Sequence, residues 1–172
     1  MKRTTSQTTP AEPSDLLVLA RGMLEGANYM TLATSVDNTP WACGLFMGLD
    51  ERYNLYFMSA SSTRHVRNVL RNPQVSVVVF NSHVVPGSAN GVQITGRCER
   101  LSGAALPEGI EATYRRRFPD AKERARHRHM PAEFSKDDSV PGARHLYKIV
   151  PEHVYVLDKR QGEDVRTEVA WH

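Results

Sequence analysis

The chain has only two cysteines, Cys43 and Cys98, in 172 residues. Two cysteines cannot build a disulfide framework, and neither sits in a Cys-x-x-Cys pair. That usage fits a reducing compartment. Long apolar runs are also missing. The longest, such as Val77–Phe80, fall far short of the ~20 residues a membrane helix needs. The N-terminal MKRTTSQTTPAEPSD carries Lys2 and Arg3 with no apolar stretch behind them, so no signal peptide is expected. Strong charge of one sign is absent too. Lys and Arg number 22 against 19 Asp and Glu, a net +3. So mild a basic excess suits an anionic small ligand as well as a nucleic acid. No internal repeat is visible. Apolar content of 40% and charged content of 24% exclude wholesale disorder. The expectation is a cytoplasmic protein with one domain over residues 13–160, flanked by tails at 1–12 and 161–172.

What is present is strand-rich. After the Thr, Ser and Pro of residues 1–12, Ser14 can cap a helix in which Leu16, Leu17, Ala20, Met23 and Leu24 recur at helical spacing, with Gly26 near its stop. Strands are expected at Tyr29–Val36, Trp41–Leu49 and Leu55–Ser59, with turns at Asp37–Pro40 and Asp50–Asn54. Turns this short cannot hold a parallel crossover, so the pattern is an antiparallel meander. A short helix follows, from Ser61-Ser62-Thr63 to the Asn72-Pro73 stop. Gln74–Phe80 and Val92–Leu101 read as strands. Residues 104–129 read as helix in two pieces broken at Phe118-Pro119. His145–Leu157 is a last strand, bent near Pro151. Six short strands and few helices predict a mainly β fold, a small antiparallel barrel with peripheral helices.

The stretch Leu55–Val79 carries the strongest chemical signal: strand, hydroxyl-rich turn, short basic helix, Asn-Pro stop, strand. A helix N-terminus exposes unpaired N–H groups and the positive end of the helix dipole. Ser61, Ser62 and Thr63 add hydroxyls there. Arg64 and His65 fall in the first turn and Arg67 in the next. This can be a phosphate cradle or a serine-capped helix with a solvated basic face, and the residues alone leave both open.

The sequence resembles the FMN-binding split-barrel flavoproteins, the pyridoxamine 5′-phosphate oxidase-like family. The resemblance covers roughly residues 16–101 and, more weakly, 144–158. It rests on an ordered set: Tyr29-Met30-Thr31-Leu32-Ala33-Thr34, Pro40, Leu55-Tyr56-Phe57-Met58-Ser59, Arg71-Asn72-Pro73 with the valine-rich strand after it, and Val92-Gln93-Ile94-Thr95-Gly96-Arg97. Thr63-Arg64-His65 stands where the family usually has Ser-Arg-Lys. The resemblance implies a six-stranded antiparallel split barrel, a homodimer, and FMN at the seam between copies. It places the isoalloxazine along Cys43, Gly44, Leu45, Phe46, Met47 and Gly48, largely through backbone groups. Met58 and Ser59 would line the ribityl and phosphate end. Arg64 would hold the phosphate, with Thr63 and His65 beside it.

Several positions depart from the family. Cys43 and Gly48 stand where the vitamin B6 enzymes have Arg and Lys. His65 replaces a lysine and carries full charge only below its pKa. Gly91 corresponds to a flavin-contacting glutamine. The C-terminal Trp and Arg-x-His signature is replaced by Val154-Tyr155-Val156-Leu157-Asp158-Lys159. The resemblance therefore implies a flavin-type ligand and an oxidoreductase acting on a small molecule, but not vitamin B6 oxidation. A deazaflavin coenzyme, haem, or flavin binding without turnover are the rival readings.

Residues 114–129, YRRRFPDAKERARHRH, are strongly basic. A basic helix can bind a phosphate backbone, but no aromatic platform, zinc pattern or RNA motif accompanies it. A solvated helix and a basic wall over a ligand cleft both stay open. His127 and His129 point to different helix faces, which disfavours a metal site. Cys43, mid-strand in an apolar run, is expected to be an inert buried thiol. Trp41 can pack the barrel or line a cleft.

Overall fold

The computed structural model describes residues 13–81, 83–85, 88–127, 140, 142–159 and 165–171. Helix α1 spans Pro13–Gly26. Strands β1 (Tyr29–Val36) and β2 (Thr39–Phe46) form a hairpin in which Val36 faces Thr39. The two turn residues, Asp37 and Asn38, both take positive φ, 51° and 57°. A two-residue hairpin needs that conformation, and Asp and Asn tolerate it better than most residues. Strands β3 (Gly48–Leu49) and β4 (Leu55–Ala60) follow, then α2 (Arg64–Arg71), β5 (Gln74–Phe80) and β6 (Gly91–Arg100). A 3₁₀ turn at Gly103–Ala105 leads into α3 (Leu106–Arg117) and α4 (Ala121–Arg126), and β7 (Arg144–Leu157) and β8 (Arg166–Glu168) end the chain. No described helix is long and apolar enough to cross a membrane.

The strands form one curled antiparallel sheet in the order β2-β1-β5-β6-β7-β4-β3, with β8 added beside β7. Its terminal strands, β2 and β3, are consecutive in the chain and separated only by Met47. The path of residues 39–49 thus joins the two ends of the sheet. Burial follows the period of two: Met30, Leu32 and Thr34 of β1 are buried, as are Val75, Val77 and Val79 of β5, and Val92, Ile94 and Cys98 of β6. The apolar side chains among these meet Leu16, Ala20 and Leu24 of α1 in one core. On the other side of β4, α3 packs over Tyr56, Leu101 and Leu146 as a smaller cluster.

Two features correct the sequence expectation. The strand count is eight, not six, because the expected strand Trp41–Leu49 breaks at Met47 and because β8 forms in the segment read as a C-terminal tail. Met47 turns its side chain into the core, fully buried, while its N–H bonds the carbonyl of Asn28 at 2.9 Å. Past β8, Trp171 is buried edge-on against Tyr53 at 5.5 Å, and the Arg21 guanidinium lies 4.9 Å over that tyrosine ring. The segment 1–12 and most of 128–141 lie outside the described residues.

Arg116 of α3 ties the layers together. Its Nη2 donates to the carbonyls of Leu24, Glu25 and Ala27 at the end of α1, the Glu25 bond being 2.8 Å. These are the orphan acceptors that a helix C-terminus leaves exposed.

Between β6 and β7 the register shifts at Thr95/Gly96, opposite Pro151. A proline inside a sheet is tolerated at such a bulge, where no ladder N–H is required. A Cβ on Gly96 would stand 2.3 Å from the Val150 carbonyl oxygen. Gly96→Ala must therefore push backbone rather than a flexible side chain. It is expected to cost about 1–3 kcal/mol, read as a lower denaturant midpoint with unchanged slope. An unaltered midpoint would mean that this approach is not tight.

Candidate functional site

The site begins where β4 ends. Ser59, the last inward residue of that strand, is buried, and its Oγ lies 2.7 Å from His65 Nε2 and 3.1 Å from Thr63 Oγ1. Thr63 is the N-cap of α2, yet it makes no side-chain cap bond. Its hydroxyl instead donates to the Ala60 carbonyl at 2.9 Å, closing the turn that reverses the chain. The N–H groups of Arg64, His65 and Val66 thus remain without a side-chain acceptor, at the positive end of the helix dipole. That donor set suits an anion with several oxygens.

Arg64 stands at the mouth of this turn. Its guanidinium carbon lies 4.5 Å over the ring of Trp41 on β2, and among the described residues it pairs with no carboxylate. Arg67 is turned away, with Nη1 donating to the Ser62 carbonyl at 2.7 Å. Of the two arginines, only Arg64 is held facing β2 and free for an anion.

His65 points inward. Its ring packs edge-on near Phe57 and bonds both Ser59 and Thr63. Burial pushes its pKa below the ordinary value, so at neutral pH the ring of the free protein is uncharged. In this state it orients the two hydroxyls rather than supplying a second cation.

β2 borders the site along its length. It pairs with β1 on one side and has no strand partner on the other among the described residues. Most of its residues are exposed. Cys43 and Leu45 lean on the core, Gly44 is open, and Phe46 lies edge-on to Tyr29 at 5.7 Å. Arg117 of α3 lies 5.7 Å over the Phe46 ring, so the basic segment reaches this strand through Arg117. Met47 turns into the core and Gly48 lies under α3, where a Cβ on Gly48 would come 2.9 Å from Thr113 Cα. The open stretch of the strand therefore ends at Phe46. Burial raises the Cys43 thiol and pushes Cys98 up to about 12, so neither is a ready nucleophile at neutral pH.

The structure brings Ser59, Thr63, Arg64 and His65 together, with Arg64 over Trp41 near the start of β2; Cys43 lies two residues further along that strand and Phe46 at its far end. Met58 lies half-buried on the opposite face of β4, packed against the α3 cluster. Gly91 is elsewhere. It pairs with Phe80 on β5, and carrying that register across β1 sets it about three strand spacings, ~14 Å, from β2. Sequence reasoning missed His145. It pairs with Ser59 in register across β4 and β7, is buried, and accepts a bond at Nδ1 from Arg100 Nη2 at 2.9 Å. The only sequence signal is one histidine in an otherwise apolar alternation. Among the described residues no group of three or more His, Cys, Asp or Glu could hold a metal.

Residues 19–158 match the protein family described as Pyridoxamine 5′-phosphate oxidase. A UPF0306 protein of Yersinia pseudotuberculosis is 32% identical over 111 residues, which make up 64% of this chain and 74% of that protein. Among solved structures, a haem-binding protein from Mycobacterium smegmatis superposes with a TM-score of 0.62 at 17% identity, over 97% of this chain and 60% of its own. An FAD-binding protein from Mesorhizobium loti superposes with a TM-score of 0.56 at 19% identity, over 81% of this chain and 90% of its own. At these identities the two structures are similar in fold alone.

The buried His65 sets a pH dependence. Its folded pKa lies below the ordinary 6.5, so the unfolded chain takes up the proton first as pH falls. The histidine's stabilising share is complete above the ordinary value and is lost as pH drops through and below it. The parent's thermal midpoint should fall more between about pH 7.5 and about pH 5.5 than that of His65→Gln, which keeps a hydrogen-bonding side chain but does not titrate. Parallel curves for the two proteins would mean that His65 is accessible to protonation in the fold.

Proposed function

The chain belongs to the pyridoxamine 5′-phosphate oxidase family, and from that premise we propose that it binds FMN and acts as a flavin-dependent oxidoreductase on a small molecule. The observation that carries the reading is the pairing of an uncapped α2 N-terminus with the open edge of β2, bridged by Arg64 over Trp41. Arg64, the first-turn N–H groups and the Ser59 and Thr63 hydroxyls fit a phosphomonoester. The unpaired edge of β2 from Cys43 to Phe46 leaves backbone donors and acceptors for a flat, hydrogen-bonding ring. Bound flavin supplies reversible hydride and electron transfer. The protein's share is to anchor the phosphate, fix the ring along β2 and keep water away.

Flavin is preferred to haem on the same chemistry. The buried histidines His65 and His145 are already hydrogen-bonded, to Ser59 and to Arg100, and the open donors at α2 are those of a phosphate site. A second copy of the chain is the proposed partner. β2 is an apolar edge strand, exposed at Trp41 and half-buried at Phe46, and such an edge invites cover. Vitamin B6 oxidation is not the proposed activity, since Cys43, Gly48 and Gly91 replace charged or amide side chains that those enzymes use.

An absorption spectrum after loading with FMN, followed by turnover with a reduced nicotinamide donor, tests the reading. A Soret band in the purified protein would replace it with the haem reading. Arg64→Ala should weaken FMN binding about tenfold to a hundredfold, the loss of one charge-assisted phosphate bond. Arg67→Ala, already turned to Ser62, should change it little. Equal affinities for parent and Arg64→Ala, with the fold intact, would remove α2 as the phosphate cradle. Light scattering at micromolar concentration should report about twice the 19.3 kDa chain mass. A monomer would exclude a site shared by two copies.

A further inference from the structure

Ser59 Oγ, Thr63 Oγ1 and His65 Nε2 form a triangle at the start of α2. Its edges are 2.7 Å from Ser59 to His65, 3.1 Å from Ser59 to Thr63 and 3.2 Å from Thr63 to His65. Ser59 and His65 are buried within one chain. A buried polar triangle is stable only where protons, not facing lone pairs, fill its contacts.

The protons can be counted. Each hydroxyl has one proton, and a neutral imidazole carries one on either of its two nitrogens. The Thr63 proton is spent on the Ala60 carbonyl 2.9 Å away, which can only accept. With the His65 proton on Nδ1, the Ser59 proton alone would serve the triangle, and lone pairs would face each other across two of its edges. With the proton on Nε2, His65 donates to Ser59 across the shortest edge, Ser59 donates to Thr63, and Thr63 donates to Ala60. Among the described residues Nδ1 has no hydrogen-bond partner, so a proton there would serve nothing in the protein.

This chain of donors has one adjustable member. Thr63 cannot turn its proton to an anion without opening the turn at Ala60. Ser59 can release Thr63, because the His65 N–H already lies 3.2 Å from Thr63 Oγ1 and keeps that oxygen covered. A phosphate dianion brings acceptor oxygens only, and Ser59 is the hydroxyl with a proton to give. We propose that His65 is a positioning residue that acts through Ser59: its Nε2–H holds the Ser59 oxygen from behind, and the Ser59 proton, not the Thr63 proton, turns to the phosphate at α2. This rests on the phosphate-cradle reading above and separates the two hydroxyls within it. It gives His65 the work of a fixed donor, where the family's lysine is a cation.

The test has two arms. An NMR spectrum of the imidazole nitrogens of the full chain at neutral pH reads the tautomer with no ligand present, the His65 signals being identified by their loss in His65→Gln. The Nε2–H form is expected, and the Nδ1–H form overturns the proton chain. In the second arm FMN and riboflavin, which differ by the phosphate alone, are titrated into each variant. Ser59→Ala should weaken FMN binding about tenfold or more, the loss of one bond to a charged group, and leave riboflavin within about threefold. Thr63→Val should lower the thermal midpoint through the lost Ala60 bond and keep the parent's preference for FMN. His65→Gln, whose amide still donates, should keep that preference. His65→Leu should lose most of it, with a cooperative thermal transition retained. The proposal fails if Ser59→Ala keeps the preference, if Thr63→Val loses it, or if His65→Gln and His65→Leu bind alike. A parent with no preference for FMN over riboflavin would defeat the cradle reading itself, and the Ser59 role with it, whereas the tautomer stands or falls on the ligand-free spectrum.

Discussion

One strand has to serve both ends of a single sheet, and the rest of the structure follows from that constraint. Residues 39–46 pair with β1, residues 48–49 pair with β4, and Met47 makes the change by turning into the core. A strand that divides its pairing in this way cannot satisfy both edges along its whole length. The edge left open is that of β2, and the N-terminus of α2 lies at its Trp41 end. The covered part is β3, beneath α3. The site is the place where the sheet fails to close.

The chemistry at that place depends on where a few protons go. A threonine at an N-cap usually accepts a bond from the helix it precedes. Thr63 gives its proton to Ala60 instead and shares its oxygen with His65 and Ser59. The turn is stabilised and the helix end stays uncapped. A buried, uncharged histidine suits this arrangement, since an imidazolium there would have to lose its solvation without a carboxylate beside it. Positive charge is supplied at the surface by Arg64, which rests on Trp41 at little desolvation cost. Fixed dipoles inside and one surface cation resting on Trp41 are what the proposed anion site would use without burying an unpaired charge.

The same economy appears on α1. Leu16, Ala20 and Leu24 hold the helix to the core, and Arg116 caps its end from α3. With both anchors in place, the opposite face is free to carry Gly22 and exposed Val18 without loss of the helix. Tertiary contacts can keep a helix in place even where its exposed face departs from good helix chemistry.

Much of the fold was legible in the sequence. Alternation at Gln74–Phe80 fixed β5 to the residue, Asn72-Pro73 ended α2 where expected, and the Phe118-Pro119 break separated α3 from α4. These signals are local: side-chain period, turn chemistry and the missing proline N–H act within a few residues. The hydroxyl and arginine cluster of Ser59–His65 was legible for the same reason, since one strand, one turn and one helical turn contain it. The break at Met47, the burial of Trp171, the pairing of Ser59 with His145 and the distance of Gly91 from β2 were not. Each depends on which strands become neighbours, and neighbours in a curled sheet are set by closure and by contacts between residues far apart in the chain. The sequence by itself determined most of the elements and the donors that one turn presents. Tertiary structure alone decided which strand edge stays open beside those donors, because an open edge is what remains after every other strand has found its partner.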